Sequence, residues 1–392
     1  MKRMTVNIQS AFQEIKHFCP DEWDGDYREV AREAIKRILE ERMKDFRDEY
    51  LDELHAEEIE DRCNGYFTRH LLTEVGDVEI CVARGRTFSA VGILHRFARR
   101  DGNIDRTILR CFVLGLSTRK VGEALLPLLG ESVSPQTVSR VAKQLDDVVD
   151  SYHRRPLSDS YEVLILDGVV IKRKSGVGAR KRTVLVAMGI RSDGRKEVID
   201  FCQVQGESQS AWEGFLSNLY RRGLVGKNLK LIIVDGGKGL LAALPLVYSY
   251  VPVQRCWAHK IRNILNYIKR CDQPLVKKDL HLICYAINIT KAQQAARRFV
   301  EKWQSKYPKA VYCLTSDLID LLTFFKADLK LKHSQLRTTN AIERRFREVK
   351  RRTRPMGTFS DRTSVERIMF AVFMHENKKQ GVNTLFQLTQ TN

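Results

Sequence analysis

Hydrophobic spacing divides the chain into three kinds of segment. Residues 26–61 read as one long helix with a rough apolar stripe at Val30, Ala34, Arg37/Ile38, Glu41, Phe46 and Leu51. Charges of both signs fill its other faces, so it is either a solvated surface helix or a helix that pairs with a partner subunit. Residues 65–90 change period: glycines at 65, 76 and 85 frame the alternation Val78, Ile80, Val82, which predicts a small strand pair. Residues 91–150 return to helical spacing. Three apolar runs follow, at 161–173, 180–191 and 196–205, then a helix near 208–222 with Trp212, Phe215, Leu216 and Leu219 inward. A fourth run, 229–237, and a short one at 251–256 complete a mixed α/β sheet. Residues 257–337 are helical again and read as an inserted unit in which Trp303 and Tyr307 are core residues.

Charge changes the picture. The 392-residue chain carries 67 Lys+Arg against 48 Asp+Glu, a net charge of +19, which points to a polyanionic partner, with nucleic acid ahead of an anionic membrane. Residues 1–75 hold 12 basic and 19 acidic side chains, so the basic excess lies entirely after them. No apolar run reaches the roughly 20 residues that span a bilayer, and the N-terminus has no apolar signal core. The nine cysteines lack a disulfide-like rhythm, which fits a reducing compartment, the cytosol. Cys63 and Cys81 have no partner pair at zinc-finger spacing and read as buried thiols.

Two of the apolar runs end alike. YEVLILDGVVIKR carries Asp167 followed by Gly, and LKLIIVDGG carries Asp235 followed by Gly. Each Asp-Gly by itself reads as a turn after a strand. Together they can set two carboxylates side by side, a self-repelling pair best relieved by a divalent cation. A third acid, Glu343, lies in RTTNAIERRFREVKRRTRPMGTF, where eight of the eighteen residues 337–354 are Arg or Lys. Ile342, Phe346 and Val349 form the buried stripe of that helix, and Glu343, Arg347 and Lys350 share an adjacent face, with Arg344 and Arg351 beside them. Asn340 to Glu343 also reads as an Asn-x-x-Glu capping box, which would explain the acid without chemistry, and Glu348 is the rival third acid. Two strand Asp residues and one helix Glu can hold two Mg²⁺ or Mn²⁺ ions about 3.5–4 Å apart for in-line displacement at phosphorus.

A second basic element precedes the strands. In GLSTRKVGEALLPLLGESVSPQTVSRVAKQL, Ser117 and Ser134-Pro135 start two helices about a turn at Gly130. The second helix puts Val138, Val141 and Leu145 on one face and Gln136, Arg140 and Lys143 on another, with Thr137 beside Gln136. It reads as a helix-turn-helix whose polar face enters a major groove, or as a helical hairpin with a basic face.

The order Asp-Gly, Asp-Gly, helical insert, TTNAIERRFREVKRRTRPMG resembles the Mutator-type transposases of bacterial insertion sequences. The Cys256-x-x-His259 pair in QRCWAHKIRN matches that family's signature after the second Asp, as does GLSTRKVGEAL…SVSPQTVSRV earlier. The resemblance runs from about residue 65 to about residue 375. It implies an α/β RNase H-like core with an all-helical insertion, preceded by mostly helical DNA-binding and dimerisation regions. The expected organisation is an acidic helical region at 1–64, a strand-rich element at 65–90, a helix-turn-helix domain at 91–155, a core at 156–256 and 338–392, and the insertion at 257–337. It further implies that Asp167, Asp235 and Glu343, 68 and 108 residues apart, are the catalytic metal-binding triad. A homodimer would act on terminal inverted repeats and target DNA by 3′-end cleavage and strand transfer, through a copied circular intermediate, in the bacterial cytoplasm at the nucleoid. A non-catalytic DNA-binding regulator derived from a transposase, and an RNase H-like nuclease or junction resolvase, are the alternatives.

Overall fold

The computed structural model describes residues 27–57, 63–86, 88, 100, 102–129, 132–175 and 178–382. The chain divides into two compact units, Met1–Phe112 with Leu116–Ala142, and Val113–Gly115 with Lys143–Asn392. That division falls inside the segment read as 91–155.

In the first unit a 30-residue helix α1 (Tyr27–Ala56) lies on an antiparallel hairpin of β1 (Cys63–Thr73) and β2 (Gly76–Gly85). The core between them is Met43 with Leu71, Val78, Ile80 and Val82, and Ile35 and Leu39 pack against it. The buried stripe therefore runs Ile35, Leu39, Met43, at i, i+4 and i+8. This corrects the stripe expected from sequence: Ile38 is 61% exposed and Phe46 39%. Bulk drew that reading to the wrong face, whereas the hairpin selects the face whose residues mesh with its alternating Val78, Ile80 and Val82. Glu40 accepts a hydrogen bond from the Cys81 N–H at 2.7 Å, which ties helix to strand. Cys81 is exposed, so its reading as a buried thiol is corrected: alternation that buries Ile80 and Val82 turns residue 81 outward. The side chain of Cys63 and the turn at Gly130 lie outside the described residues.

The first unit also contains most of α2 (Gly102–Val113), then α3 (Thr118–Leu129) and α4 (Pro135–Lys143). Ser134 caps α4 by accepting from the Thr137 N–H at 3.2 Å. Val138, Val141 and Ala142 are buried, while Gln136, Arg140 and Lys143 are exposed.

The second unit holds α5 (Asp146–Arg154) and a five-stranded sheet of β3 (Tyr161–Ser175), β4 (Gly178–Arg191), β5 (Lys196–Val204), β6 (Leu231–Val234) and β7 (Val253–Arg255). The spatial order is β5-β4-β3-β6-β7. The first three strands are antiparallel neighbours, and β6 and β7 run parallel to β3. Alternation sorts the two faces. Leu164, Leu166, Leu185, Ala187 and Ile232 pack on Trp212, Phe215, Leu216 and Leu219 of α6 (Gln209–Arg221) and on Leu240, Ala243 and Leu244 of α7 (Lys238–Val247). On the opposite face Phe201 meets Phe373 at 5.5 Å, and Tyr152 of α5 meets Phe370 at 5.2 Å. These phenylalanines belong to α15 (Arg362–Lys379), whose Asn377 exchanges hydrogen bonds with both main-chain groups of Val198. The sheet is thus covered on both faces, which accounts for its near-continuous apolar strands.

Between β7 and the glutamate-bearing helix α14 (Asn340–Thr353) the chain is helical: α8 (Trp257–Leu265), α9 (Gln273–Cys284), α10 (Ile289–Trp303), α11 (Pro308–Thr315), α12 (Leu318–Leu321) and α13 (His333–Leu336). Trp303 and Tyr307 are buried, and their polar ends reach Asp279 and Asp272. The segment is pinned back to the sheet by Asp317, which takes both Arg255 of β7 and Lys260 of α8. Gln254 and the Trp257 indole both donate to the Leu321 carbonyl.

Candidate active site

Asp167 stands midway along β3, where period-two alternation places it on the face opposite Leu164 and Leu166. It is buried, and its carboxylate accepts from its neighbour's Gly168 N–H at 2.7 Å. Burial pushes its pKa up to about 8, and the charges of Asp235, Glu343 and Glu207 push the same way against that one hydrogen bond. Among the described residues no Lys, Arg or His forms an ion pair with Asp167 or Asp235. A buried acid flanked by further acids and given no cation is electrostatically incomplete.

Asp235 follows β6 directly and accepts from the Gly237 N–H at 2.9 Å, a local turn that holds the carboxylate at the strand end. Gly236 takes φ +98°, and a Cβ there would overlap the Arg255 guanidinium. Here the Asp-Gly pair is both a turn signal and the carrier of the acid.

Glu343 lies in the first turn of α14. The stripe Ile342, Phe346, Val349 is buried as the spacing requires. The expected capping box does not form. Asn340 is already helical, Thr339 occupies the cap position, and no side chain caps the helix. Thr339 is instead committed elsewhere: its N–H and its hydroxyl both donate to Cys256 Sγ at 3.3 Å. Glu343 Oε1 pairs with His259 Nε2 at 3.0 Å. The Cys256-x-x-His259 pair thereby links the start of α8 to the start of α14, Cys256 through the cap residue and His259 through the acid itself.

Glu348 is held differently. It accepts from the buried Arg352 and pairs with Arg351 at 3.0 Å, and these hydrogen bonds keep its carboxyl below the usual range. It does not enter the electrostatics of Asp167, so Glu343 is the acid that shares the site.

The basic residues of the 337–354 stretch separate into two groups. Arg345 is buried against Glu376 at 3.4 Å, Arg352 is buried on Glu348, and Arg337 stacks on Tyr285 and donates to the Cys284 carbonyl. Arg344, Arg347, Lys350 and Arg351 are exposed. Of the α4 residues, Thr137 is half-buried and accepts from the Ser134 hydroxyl at 3.1 Å, so it belongs to the cap more than to a reading face.

Sequence reasoning missed Glu207. This exposed acid precedes the Ser208 cap of α6, and desolvation of its carboxyl together with Asp235 raises its pKa. Its Oε1 lies 2.5 Å from where a Cβ on Gly168 would sit, so the glycine leaves room for the Glu207 carboxylate over the Asp167 strand. The only trace in the sequence is a glycine after Asp167 that a turn does not need, since β3 continues unbroken through it.

Carboxylate oxygens of this kind suit a hard divalent cation. No three His, Cys, Asp or Glu side chains among the described residues converge as a ready-made cage. The donor set fits in chemistry, with Glu343 turned to His259.

The description "Transposase, Mutator family" matches residues 4–381 of the chain. The chain is 32% identical over 354 residues to the transposase for insertion sequence element IS256 in transposon Tn4001 of Staphylococcus aureus, covering 88% of this chain and 90% of that one. It is 31% identical over 357 residues to the transposase for ISRM5 of Rhizobium meliloti (89% and 88% covered), and 29% identical over 319 residues to that for IS905 of Lactococcus lactis (81% and 80%). This is the company of enzymes that cut and transfer DNA. The protein belongs to the Mutator family of transposases. No helix among the described residues is long and apolar enough to cross a membrane.

Proposed function

We propose that this transposase binds the terminal inverted repeats of an insertion sequence and performs 3′-end cleavage and strand transfer with Asp167, Asp235 and Glu343 as its metal-binding triad. The observation that carries the reading is the set of charges around Asp167. The acids at the end of β6 and on α14 both bear on Asp167 of β3, although 176 residues separate the first of the three from the last. The sheet order β5-β4-β3-β6-β7, with acids on adjacent parallel strands, supports an RNase H-like core.

Two Mg²⁺ or Mn²⁺ ions held by the triad would activate the attacking oxygen and stabilise the departing 3′-oxygen. The protein's own groups do the rest. His259 orients Glu343, Cys256 fixes the Thr339 cap, and the exposed Arg344, Arg347, Lys350 and Arg351 hold the phosphate backbone. Gln136, Arg140 and Lys143 of α4 supply the helix that reads the repeat. The protein acts as a homodimer, through a copied circular intermediate, in the bacterial cytoplasm. A regulator that only bound DNA would gain nothing from a buried, self-repelling carboxylate group.

The test is cleavage of a labelled duplex carrying the element's own end, with and without Mg²⁺, followed by a strand-transfer assay. Metal-dependent nicking and joining are expected. A protein that binds the duplex but never cuts it would move the regulator reading to the front, and one that cuts without joining would favour a nuclease.

A further inference from the structure

The β3–β4 pair is longer than the sheet it belongs to. β5 accompanies β4 only from Thr183 to Ile190, and β6 accompanies β3 only from Val163 to Leu166. Beyond Val170 and Thr183 the two strands continue as a two-stranded ribbon to Ser175 and Gly178. Among the described residues it is further held by Phe359, whose main chain exchanges hydrogen bonds with Lys172 and Lys174 on the outer side of β3, and by the Arg173 side chain on Gln203 of β5.

That ribbon is strongly basic. Residues 171–183, IKRKSGVGARKRT, hold six Lys or Arg and no acid. The register sets like charges directly opposite each other, Lys172 across from Lys181 and Arg173 across from Arg180. Opposed like charges destabilise a strand pair, and a two-stranded ribbon is marginal to begin with. Lys172, Lys174, Arg180 and Lys181 are exposed. Among the described residues none of the six forms an ion pair; Arg173 only donates to Gln203 at 3.0 Å. Charged edges do protect strands from aggregation. Mixed charges would protect equally well without cross-strand repulsion, so the uniform sign calls for another cause.

The ribbon also has a defined place. It grows directly out of the Asp167 strand, and alternation puts Asp167, Val169, Ile171 and Arg173 on one face. Six residues at about 3.4 Å each set Arg173 roughly 20 Å along the strand from Asp167. That span equals about six base pairs of duplex at about 3.4 Å each. A two-stranded β-ribbon is one of the shapes that a major groove admits.

We infer that the ribbon formed by residues 171–175 and 178–182 is a DNA-binding arm that grips the phosphate backbone of duplex DNA about six base pairs from the bond being cut. This rests on the DNA-cleaving reading of the Asp167 site and adds to it a contact surface outside both α4 and α14. The repulsion between opposed lysines and arginines is relieved when phosphates lie between them, so the arm is completed by its substrate.

The experiment uses the full chain and a duplex carrying the element's end. Binding is measured between 50 and 200 mM salt for wild type and for the combined variant Arg173→Gln, Arg180→Gln, Arg182→Gln, whose residues share the Asp167 face of the ribbon. Each lost phosphate contact lowers the slope of log K against log salt by about 0.9, so a drop of about 2.7 is expected. Over that fourfold salt range the wild type should then lose about 40-fold more affinity than the variant. The thermal midpoint of the variant should hold or rise, because a like-charge pair is removed. Arg180→Gln alone, exposed on the ribbon opposite Arg173, should lower the slope by about 0.9 and guards against a folding defect in the triple variant. A slope unchanged in both variants overturns the arm while leaving the cleavage reading intact. A wild type that binds no duplex at all overturns both.

Discussion

Asp167 and Glu343 are held in opposite ways. Asp167 is fixed by the fold: it sits mid-strand, buried, with only the Gly168 N–H to satisfy it. Glu343 is about one-third exposed and is fixed by a tether, the His259 imidazole, on a helix start that Cys256 secures through Thr339. A strand acid cannot move without moving the sheet, whereas a helix acid on a single ion pair can turn. The difference teaches where such a site is tunable. Changes around Asp167 should act on the whole fold, and changes around Glu343 on geometry alone.

The largest expected effects come from the acids themselves. Asp167→Asn, Asp235→Asn and Glu343→Gln should each cut DNA-end cleavage by at least about 10³-fold with duplex binding kept, as removal of a metal ligand in two-metal phosphoryl transfer implies. Single-turnover cleavage beside a binding titration checks this. Wild-type cutting by Glu343→Gln, with loss in Glu348→Gln, would reverse the assignment of the third acid.

The tether should matter less. His259→Ala is expected to slow cleavage by roughly 10–100-fold, the usual cost of losing a partner that orients a ligand. The effect should shrink as Mg²⁺ is raised, since metal would recruit Glu343 without help. A deficit of the variant that stays constant as Mg²⁺ is raised would show that His259 is merely structural.

Asp167 should also betray itself in stability. Its folded-state pKa of about 8 lies above the unfolded value of 3.8, so the native state binds the extra proton and stability falls as pH rises between those values. At pH 3.5, below the unfolded value, the group is mostly neutral in both states, and Asp167→Asn should change little. At pH 8 without metal the variant should be the more stable, by on the order of a few kcal/mol. Thermal melts at both pH values in chelator read this, and equal midpoints at pH 8 would contradict the buried, crowded carboxylate.

Smaller again is the cap. Cys256→Ala leaves the Thr339 N–H without its acceptor and the Thr339 hydroxyl with only a 3.5 Å contact to Glu343, and should cost about 1–3 kcal/mol, with Cys256→Ser losing less because its oxygen still accepts. Denaturant melts of the two variants rank them.

Much of this site was legible in the sequence because each piece is local. An apolar run ending in Asp-Gly, and a stripe at Ile342, Phe346 and Val349, announce a strand acid and a helix face without tertiary knowledge. What was not legible depends on closure. Glu207 is an unremarked acid before a serine cap until the turn into α6 brings it over Gly168. The capping box failed because Thr339, bound to Cys256, took the cap position one residue early. The stripe of α1 failed because the hairpin chose Ile35, Leu39 and Met43, leaving the larger Phe46 exposed. The sorting of the basic residues also depends on closure: Arg345 and Arg352 look like their neighbours in sequence and are buried in ion pairs in the fold.

The most direct test of the central claim is Mg²⁺-dependent cleavage of the element's end by wild type beside Glu343→Gln. The site described here requires cutting by the wild type, none by the variant, and equal duplex binding by both. Undiminished cutting by the variant would contradict it and place the third metal ligand elsewhere, with Glu207 the first acid to examine.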